Sequence, residues 1–194
     1  MQELNVKFDP EVDGLTPKVI RGTFPAHIVG WEEGEVYNGS IPFNILYRIA
    51  TDATEFIGYD FNSGEEAKGT VMVGQELKSN GVWLCPNPKS GEGWRNRGYI
   101  EFAKSVGIDF PEDEDSKINL QQIEMTDVLG LPVLVLVGQQ VHKDDKEKDP
   151  ADQRKYPRVF KTFLWEDGER IDPEDLFAED DQDEEIEFPD DDTE

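Results

Sequence analysis

The order of strand-like and helix-like segments is the feature that most constrains how this chain can fold. Residues 19–31 are rich in β-branched and aromatic side chains and predict a long, bent strand. An Asn38-Gly39 pair, the dipeptide best suited to a tight turn, then precedes a second strand-like segment at residues 41–51. Weaker strand-like segments follow at residues 55–61 and 70–73. Together these segments predict a meander of strands.

One helix and two more strands complete the predicted body. Residues 94–106 carry apolar side chains at helical spacing and predict a short amphipathic helix that ends at Gly107. The valine-rich run at residues 131–141 predicts a buried central strand, and residues 159–165 predict the last strand. The helix therefore precedes the penultimate strand.

This position of the helix favours one class of barrel. Small Greek-key barrels of the OB type bind oligonucleotides and consist of five strands. In that type the helix lies between the third and fourth strands. We therefore expect a mainly β chain, with an OB-like Greek-key barrel and one α-helix. Any other small β-rich barrel or sandwich that carries one helix is the alternative.

Negative charge is concentrated at the C-terminal end. The net charge of the 194 residues is −25, and residues 166–194 hold seventeen acidic residues against Arg170 alone. The last sixteen residues, 179–194, contain eleven carboxylates and no Lys or Arg. Such a segment repels itself and has little apolar surface to bury, which predicts a disordered acidic tail. The predicted organisation is an N-terminal arm (1–17), an OB-like β-barrel domain (18–165) and an acidic flexible tail (166–194).

Residues typical of catalytic or metal sites are sparse. His27, His142 and Cys85 show no metal-ligand spacing, and no glycine-rich phosphate-binding motif occurs. The segment DFNSGEE at residues 60–66 matches a calcium loop only in part and favours a turn. We expect no enzyme activity, no cofactor and no metal.

Two features favour a cytoplasmic protein, or one of the host cytoplasm if the chain is viral. The N-terminus MQELNVKFDPEV has neither the basic nor the apolar region of a signal peptide. The longest apolar stretch, residues 129–138, is far shorter than the ~20 residues that cross a bilayer. No membrane partner is therefore expected.

Cationic and aromatic residues are interleaved in three segments. Proteins that bind single strands place cations along the phosphate backbone and stack bases on aromatic rings. Phe43 and Tyr47 belong to this pattern, but they share a strand face with Ile41 and Ile45, which favours core packing. In the other two segments a structural role is an equal alternative. The candidate nucleic-acid-binding residues are Arg48, Trp94, Arg95, Arg97, Lys155, Tyr156, Arg158 and Lys161.

Residues 143–161 form the main basic segment of an otherwise acidic chain. They hold seven basic and five acidic residues, a net charge of +2. In an OB-like barrel this segment includes the connection between strands four and five, one of the loops that bind nucleic acid. For residues 144–149 a solvated loop of mixed charge is the alternative, so Lys155 and Arg158 are the stronger candidates.

A β-barrel with one helix, a basic and aromatic loop and an acidic C-terminus with Phe188-Pro189 resembles the single-stranded DNA-binding proteins of bacteriophages and bacteria. The resemblance covers the order of elements over residues 18–194. It implies a protein without catalytic residues that coats and protects single-stranded DNA in phage DNA replication or recombination. It also implies a tail that competes for the DNA groove or recruits replication or recombination proteins, and it allows a homo-oligomer.

The tail departs from that family at its end. Family tails typically end on a hydrophobic pair or an aromatic residue that docks on replication partners, whereas here DDDTE follows Phe188-Pro189. The departure weakens the argument for partner docking through these two residues and leaves the electrostatic role intact. The alternative function is an acidic interaction module that binds a basic protein, such as a DNA mimic that blocks a nuclease or a virion structural component.

Overall fold

The structure is a computed structural model that describes residues 19–111, 120–150 and 152–176. The predicted arm (1–17) and the acidic segment 179–194, with Phe188 and Pro189, lie outside the described residues. The strands are β1 (Ile20–Glu33), β2 (Ile41–Ile49), β3 (Ile57–Asp60), β4 (Glu66–Lys68), β5 (Glu76–Lys78), β6 (Val82–Leu84), β7 (Pro132–Val141) and β8 (Lys155–Leu164). The helices are α1 (Arg97–Ser105) and α2 (Met125–Val128), and short 3₁₀ turns lie at Thr51–Glu55, Gly69–Met72, Gly93–Asn96 and Lys143–Asp145.

Five strand positions close into a barrel. β1 pairs antiparallel with both β2 and β7, β2 pairs with β5 and β6, and β7 pairs with β8. A parallel bridge between Ser79 and Val159 joins the end of β5 to β8, and the Asn80 N–H donates to the Val159 carbonyl at 2.8 Å. With β5 and β6 as two halves of the third strand, this circuit is that of an OB-like Greek-key barrel. The predicted fold class is confirmed.

Alternating side chains of the strands fill the interior of the barrel. Phe43, Ile45 and Tyr47 of β2 are buried, which confirms the core packing expected from their period of two. In β7 the buried side chains are Val133, Val135 and Val137, and the leucines between them are half-buried. Each such aliphatic or aromatic side chain stabilises the fold by about 1.5–3 kcal/mol when fully buried.

Helix α1 precedes β7, the penultimate strand, as the sequence predicts, and it closes one end of the barrel. Tyr99, Phe102 and Ala103 are buried against the core. The Tyr99 hydroxyl donates to the Gln121 carbonyl at 2.9 Å and accepts from the Ile123 N–H at 2.7 Å. The helix thereby holds the chain that leads into α2 and β7.

The central part of the chain differs from the sequence-based expectation. The predicted strand at residues 70–73 is wrong, because a 3₁₀ turn at Gly69–Met72 directs the Met72 side chain into the core. The Met72 sulfur accepts the Ile20 N–H at 3.3 Å. Strands β4, β5 and β6 have three residues each and are too short for a periodic signal. The segment at 60–66 is a turn, in which the Asp60 carboxylate accepts the N–H groups of Asn62 and Ser63.

After β8 the chain crosses back over the outside of the barrel. We call residues 165–176 the C-terminal strap; most of it belongs to the predicted tail. The Ile171 N–H donates to the Gly130 carbonyl at 3.0 Å, and the Glu169 carbonyl accepts from His27 Nε2 at 3.0 Å. Leu176 is buried. The strap is thus packed on β1 and on the segment before β7.

Candidate nucleic-acid interface

The single bridge between β5 and β8 determines where the barrel wall opens. Among the described residues, the one backbone bridge on this side of β8 joins Val159 to Ser79 at the end of β5, and a groove lies on each side of this bridge. We call the groove beside Lys155–Arg158 the basic groove; its volume is about 560 Å³. Its lining residues are Leu46, Glu76, Leu77, Lys78, His142, Tyr156, Pro157 and Arg158.

Tyr156 and Arg158 form the most distinctive pair in the basic groove. They occupy alternate positions of β8, so they share one face of the strand. The Arg158 guanidinium carbon lies 4.7 Å from the centroid of the Tyr156 ring, and His142 meets the same ring edge-on at 6.2 Å. A cation over an aromatic face is a favourable contact in itself. It also offers a planar surface beside a positive charge, which suits a base and its phosphate.

The cations on the opposite wall are already bound to carboxylates. Lys78 Nζ lies 2.6 Å from Glu32, and Arg48 binds Glu76 through Nε at 3.2 Å and Nη2 at 2.8 Å. Arg48 also donates to the Leu176 carbonyl of the strap at 2.9 Å. These exposed pairs contribute little to stability. They do lower the positive charge that β2 and β5 present to an anion.

By contrast, three candidate cations of β8 have no carboxylate partner within the described part of the chain. Lys155, Arg158 and Lys161 form no ion pair there within 4.0 Å. Lys155 and Arg158 lie on the basic-groove side of Val159, and Lys161 lies on the other side. The structure therefore places Tyr156 and Arg158 together in the basic groove. Lys155 lies beside them at the end of β8 but does not line the groove, and Lys161 lies apart from all three.

The connection between β7 and β8 is organised around one buried carboxylate. Asp145 accepts from Arg154 Nε at 2.6 Å, from the Arg154 backbone N–H at 3.0 Å and from Lys148 Nζ at 2.7 Å. These bonds, first from Arg154 and then from Lys148, hold the pKa of Asp145 well below its usual range. The side chain is fully buried, so the loop is more ordered than its mixed charge suggested. Two of its cations neutralise Asp145 and are not free for phosphate.

The second predicted cluster lies apart, at the end of the barrel near the β1–β2 hairpin. Arg95 Nη2 donates to the Asn38 carbonyl at 2.6 Å and to Ser40 Oγ at 2.7 Å, so its structural role is to hold the Gly93–Asn96 turn against the hairpin. Arg97 pairs with Glu101 on α1 at 2.7 Å. Trp94 is 73% exposed. Of this cluster, Trp94 remains available for stacking.

Exposed residues that the sequence analysis did not select extend both clusters. Tyr37, beside the Asn38-Gly39 turn, is 66% exposed, and Trp83 of β6 is 39% exposed. Arg95 brings the turn that carries Trp94 next to the hairpin that carries Tyr37. The position of Tyr37 beside an Asn-Gly turn was a usable signal. Trp83, and Lys78 in the basic groove, belong to strands too short to be predicted.

The described residues contain no group of three His, Cys, Asp or Glu side chains that could hold a metal ion. None of the described helices is long and apolar enough to span a bilayer. The chain matches no family model, no curated protein and no solved structure.

Proposed function

We propose that this protein binds single-stranded DNA in the basic groove. The observation that carries the proposal is the Arg158 guanidinium stacked on the Tyr156 ring. The pair lies next to the connection between strands four and five, where OB-type barrels habitually bind oligonucleotides. Leu46 and Pro157 add apolar surface to the same groove.

The proposed binding mode separates backbone and base contacts. Lys155 and Arg158 contact phosphates, which supplies affinity without sequence information. Tyr156 stacks with a base, a contact worth about 1–3 kcal/mol. Lys78 joins the phosphate contacts when an incoming strand competes with Glu32. In this mode the protein coats and protects exposed single strands during phage DNA replication or recombination.

The path of the strap supports a regulatory role for the acidic tail. Leu176 packs beside Leu46, which lines the basic groove, and the Leu176 carbonyl accepts from Arg48. Residues 177–194 therefore begin at the edge of the proposed DNA site. A tethered polyanion that starts there competes with DNA at an effective concentration that can reach millimolar. Recruitment of replication or recombination proteins through Phe188 and Pro189 is the alternative role of the same segment.

One set of observations favours a second function, the binding of a basic protein. The net charge is −25, and Arg48, Lys78 and Arg97 are each paired with a carboxylate at the surface. Such a surface suits a DNA mimic that occupies a nuclease, or a virion component that contacts a basic partner. This function needs neither Tyr156 nor Arg158.

Titration of a fluorescent oligo-dT, followed by anisotropy at about 20 mM and about 150 mM salt, separates the two functions. We expect saturable binding that weakens with salt and is lost in Arg158→Glu. Arg97→Glu is the matched control, because Arg97 is an exposed arginine on α1 outside the basic groove. A flat signal for the unmodified protein at micromolar concentration and low salt contradicts DNA binding and favours a basic protein as the partner.

A further inference from the structure

A second groove opens on the other side of the Ser79–Val159 bridge. It has a volume of about 520 Å³ and lies between the C-terminal half of β8, the β5–β6 turn and helix α1. We call it the helix-side groove. Phe160 and Phe163 on its rim are each 43% exposed, and Leu164 is 52% exposed. Three large apolar side chains next to one another at the surface of a strongly charged chain point to a binding surface.

The helix-side groove is also bounded by an open strand edge. β8 pairs with β7 from Lys155 to Leu164. On its other side, in the part of the chain that the structure describes, the one backbone bridge joins Val159 to Ser79. Successive residues of a strand direct their N–H and C=O groups to opposite edges. The segment from Phe160 to Leu164 therefore directs backbone donors and acceptors into the groove. Such an edge is a template for an extended peptide.

The charges on the rim select the kind of peptide. Lys104 and Lys161 line the helix-side groove together with Glu101. Glu101 is paired with Arg97, and its pKa is lowered by the Arg97 hydrogen bond and, to a smaller extent, by the positive charge of Lys161. Arg97 thus neutralises the Glu101 carboxylate, and Lys104 and Lys161 give the rim a positive charge. The complementary peptide is extended, with apolar side chains on one face and acidic side chains on the other.

We propose that residues 184–189 of this chain add to the free edge of β8 as an extra strand. Their sequence, EEIEFP, alternates acidic and apolar side chains from Glu185 to Phe188, which is the pattern of a half-buried strand. Ile186 and Phe188 cover the apolar part of the groove, and Glu185 and Glu187 face the lysines. Pro189 lacks an N–H and ends the added strand.

The length of the intervening chain allows this contact within one molecule. Ile186 lies ten positions beyond Leu176, a reach of up to about 33–36 Å. Leu176 is bound to Arg48, which pairs with Glu76 across β2 and β5. Ser79, at the helix-side groove, is three residues farther along the chain, or about 10 Å. The tether therefore spans the distance with slack for its path around the barrel wall.

Hydrogen exchange of the full-length protein, measured by mass spectrometry, tests the added strand. A segment with a dissociation constant near 100 µM, tethered at millimolar effective concentration, slows exchange of the amides it covers by about tenfold. We expect such slowing over residues 160–164 in the unmodified protein and its loss in the double variant Ile186→Ser, Phe188→Ser. The double variant Asp190→Ser, Asp192→Ser is the matched control in the same tail and keeps the protection.

A second pair of variants locates the contact on β8. Lys161→Glu should reduce the protection, and Lys155→Glu, the same change at the far end of the strand, should not. Equal exchange in the unmodified protein and the Ile186→Ser, Phe188→Ser variant overturns the proposal. Protection that disappears on dilution also overturns it, because the strand would then come from a second copy. The added strand does not depend on DNA binding, so oligo-dT titration of the same variants tells the two proposals apart.

Discussion

The Arg158 guanidinium carbon lies 4.7 Å from the centroid of the Tyr156 ring, on the edge of the barrel that faces the basic groove. Arg21 lies over Tyr59 in a similar way, at 5.7 Å, where β1 pairs with β3. The two pairs have the same chemistry and different surroundings. Tyr156 and Arg158 line the basic groove, beside Lys155, which has no ion pair among the described residues, whereas Arg21 and Tyr59 line neither groove.

The first prediction compares these two arginine–tyrosine pairs. Tyr156→Leu should weaken oligo-dT binding by about 5- to 150-fold, because one stacked base contributes about 1–3 kcal/mol. Tyr59→Leu, which removes the ring of the other pair, should leave the affinity within about twofold. The measurement is anisotropy at one fixed salt concentration. Equal losses in the two variants would show that aromatic side chains act through stability and not through stacking in the groove.

The second prediction concerns Asp145. Asp145→Asn removes the charge that binds Arg154 and Lys148, so the melting temperature should fall. The pKa of Asp145 is lowered in the folded protein, so its stabilisation is present above the unfolded value near 3.9 and is lost as the pH falls below that value. Asp144→Asn, a neighbouring exposed carboxylate, is the control and should melt close to the unmodified protein. If both variants melt alike, Asp145 does not organise the loop.

The third prediction concerns His27, which donates to the Glu169 carbonyl and packs beside Trp165. Burial lowers its pKa below 6.5, and the Glu169 bond and the Asp52 charge oppose this only in part. The unfolded chain therefore takes up the proton more readily, and stability falls as the pH drops through about 6.5. Between pH 7.5 and 5.5 the unmodified protein should lose more unfolding free energy in urea than His27→Gln does. If His27→Gln loses as much unfolding free energy as the unmodified protein over this range, the assignment to His27 is wrong.

The fourth prediction concerns the acidic tail. Deletion of residues 179–194 should raise the affinity for oligo-dT, most at about 0.01 M salt, where the Debye length is ~30 Å. A tail of the same length with its eleven carboxylates changed to amides should behave like the deletion. The advantage of both variants should shrink as salt is added. Unchanged affinity at low salt would leave the tail as a partner-binding segment or as a solubilising one.

Much of the fold follows from patterns within single segments. Tyr47 could be assigned to the core because its strand alternates, and Tyr99 could be assigned to a helix because its neighbours recur every three or four residues. Met72 could not be assigned to a 3₁₀ turn, since its side chain enters the core through a contact with Ile20, 52 positions away. Local sequence carries no information on such a contact.

The candidate site could be predicted only in part, because some of its contacts also join residues that lie far apart in the sequence. Tyr156 and Arg158 lie two positions apart, so their shared face could be expected once β8 was recognised. The sequence analysis names Arg48 as a candidate nucleic-acid-binding residue, yet it binds Glu76, which reaches it only through the register of β2 and β5. Leu176 is hidden in an acidic segment, and only the packed strap reveals that it is buried.

The Ser79–Val159 bridge is the one backbone connection, among the described residues, that closes the barrel between the end of β5 and β8. The two grooves lie on either side of this bridge. A ligand that moves β5 away from β8 in one groove therefore also changes the width of the other groove. The hydrogen bond from the Asn80 N–H to the Val159 carbonyl breaks when β5 and β8 separate. The exchange rate of this N–H reports, from one atom, how often the wall opens and whether filling either groove closes it.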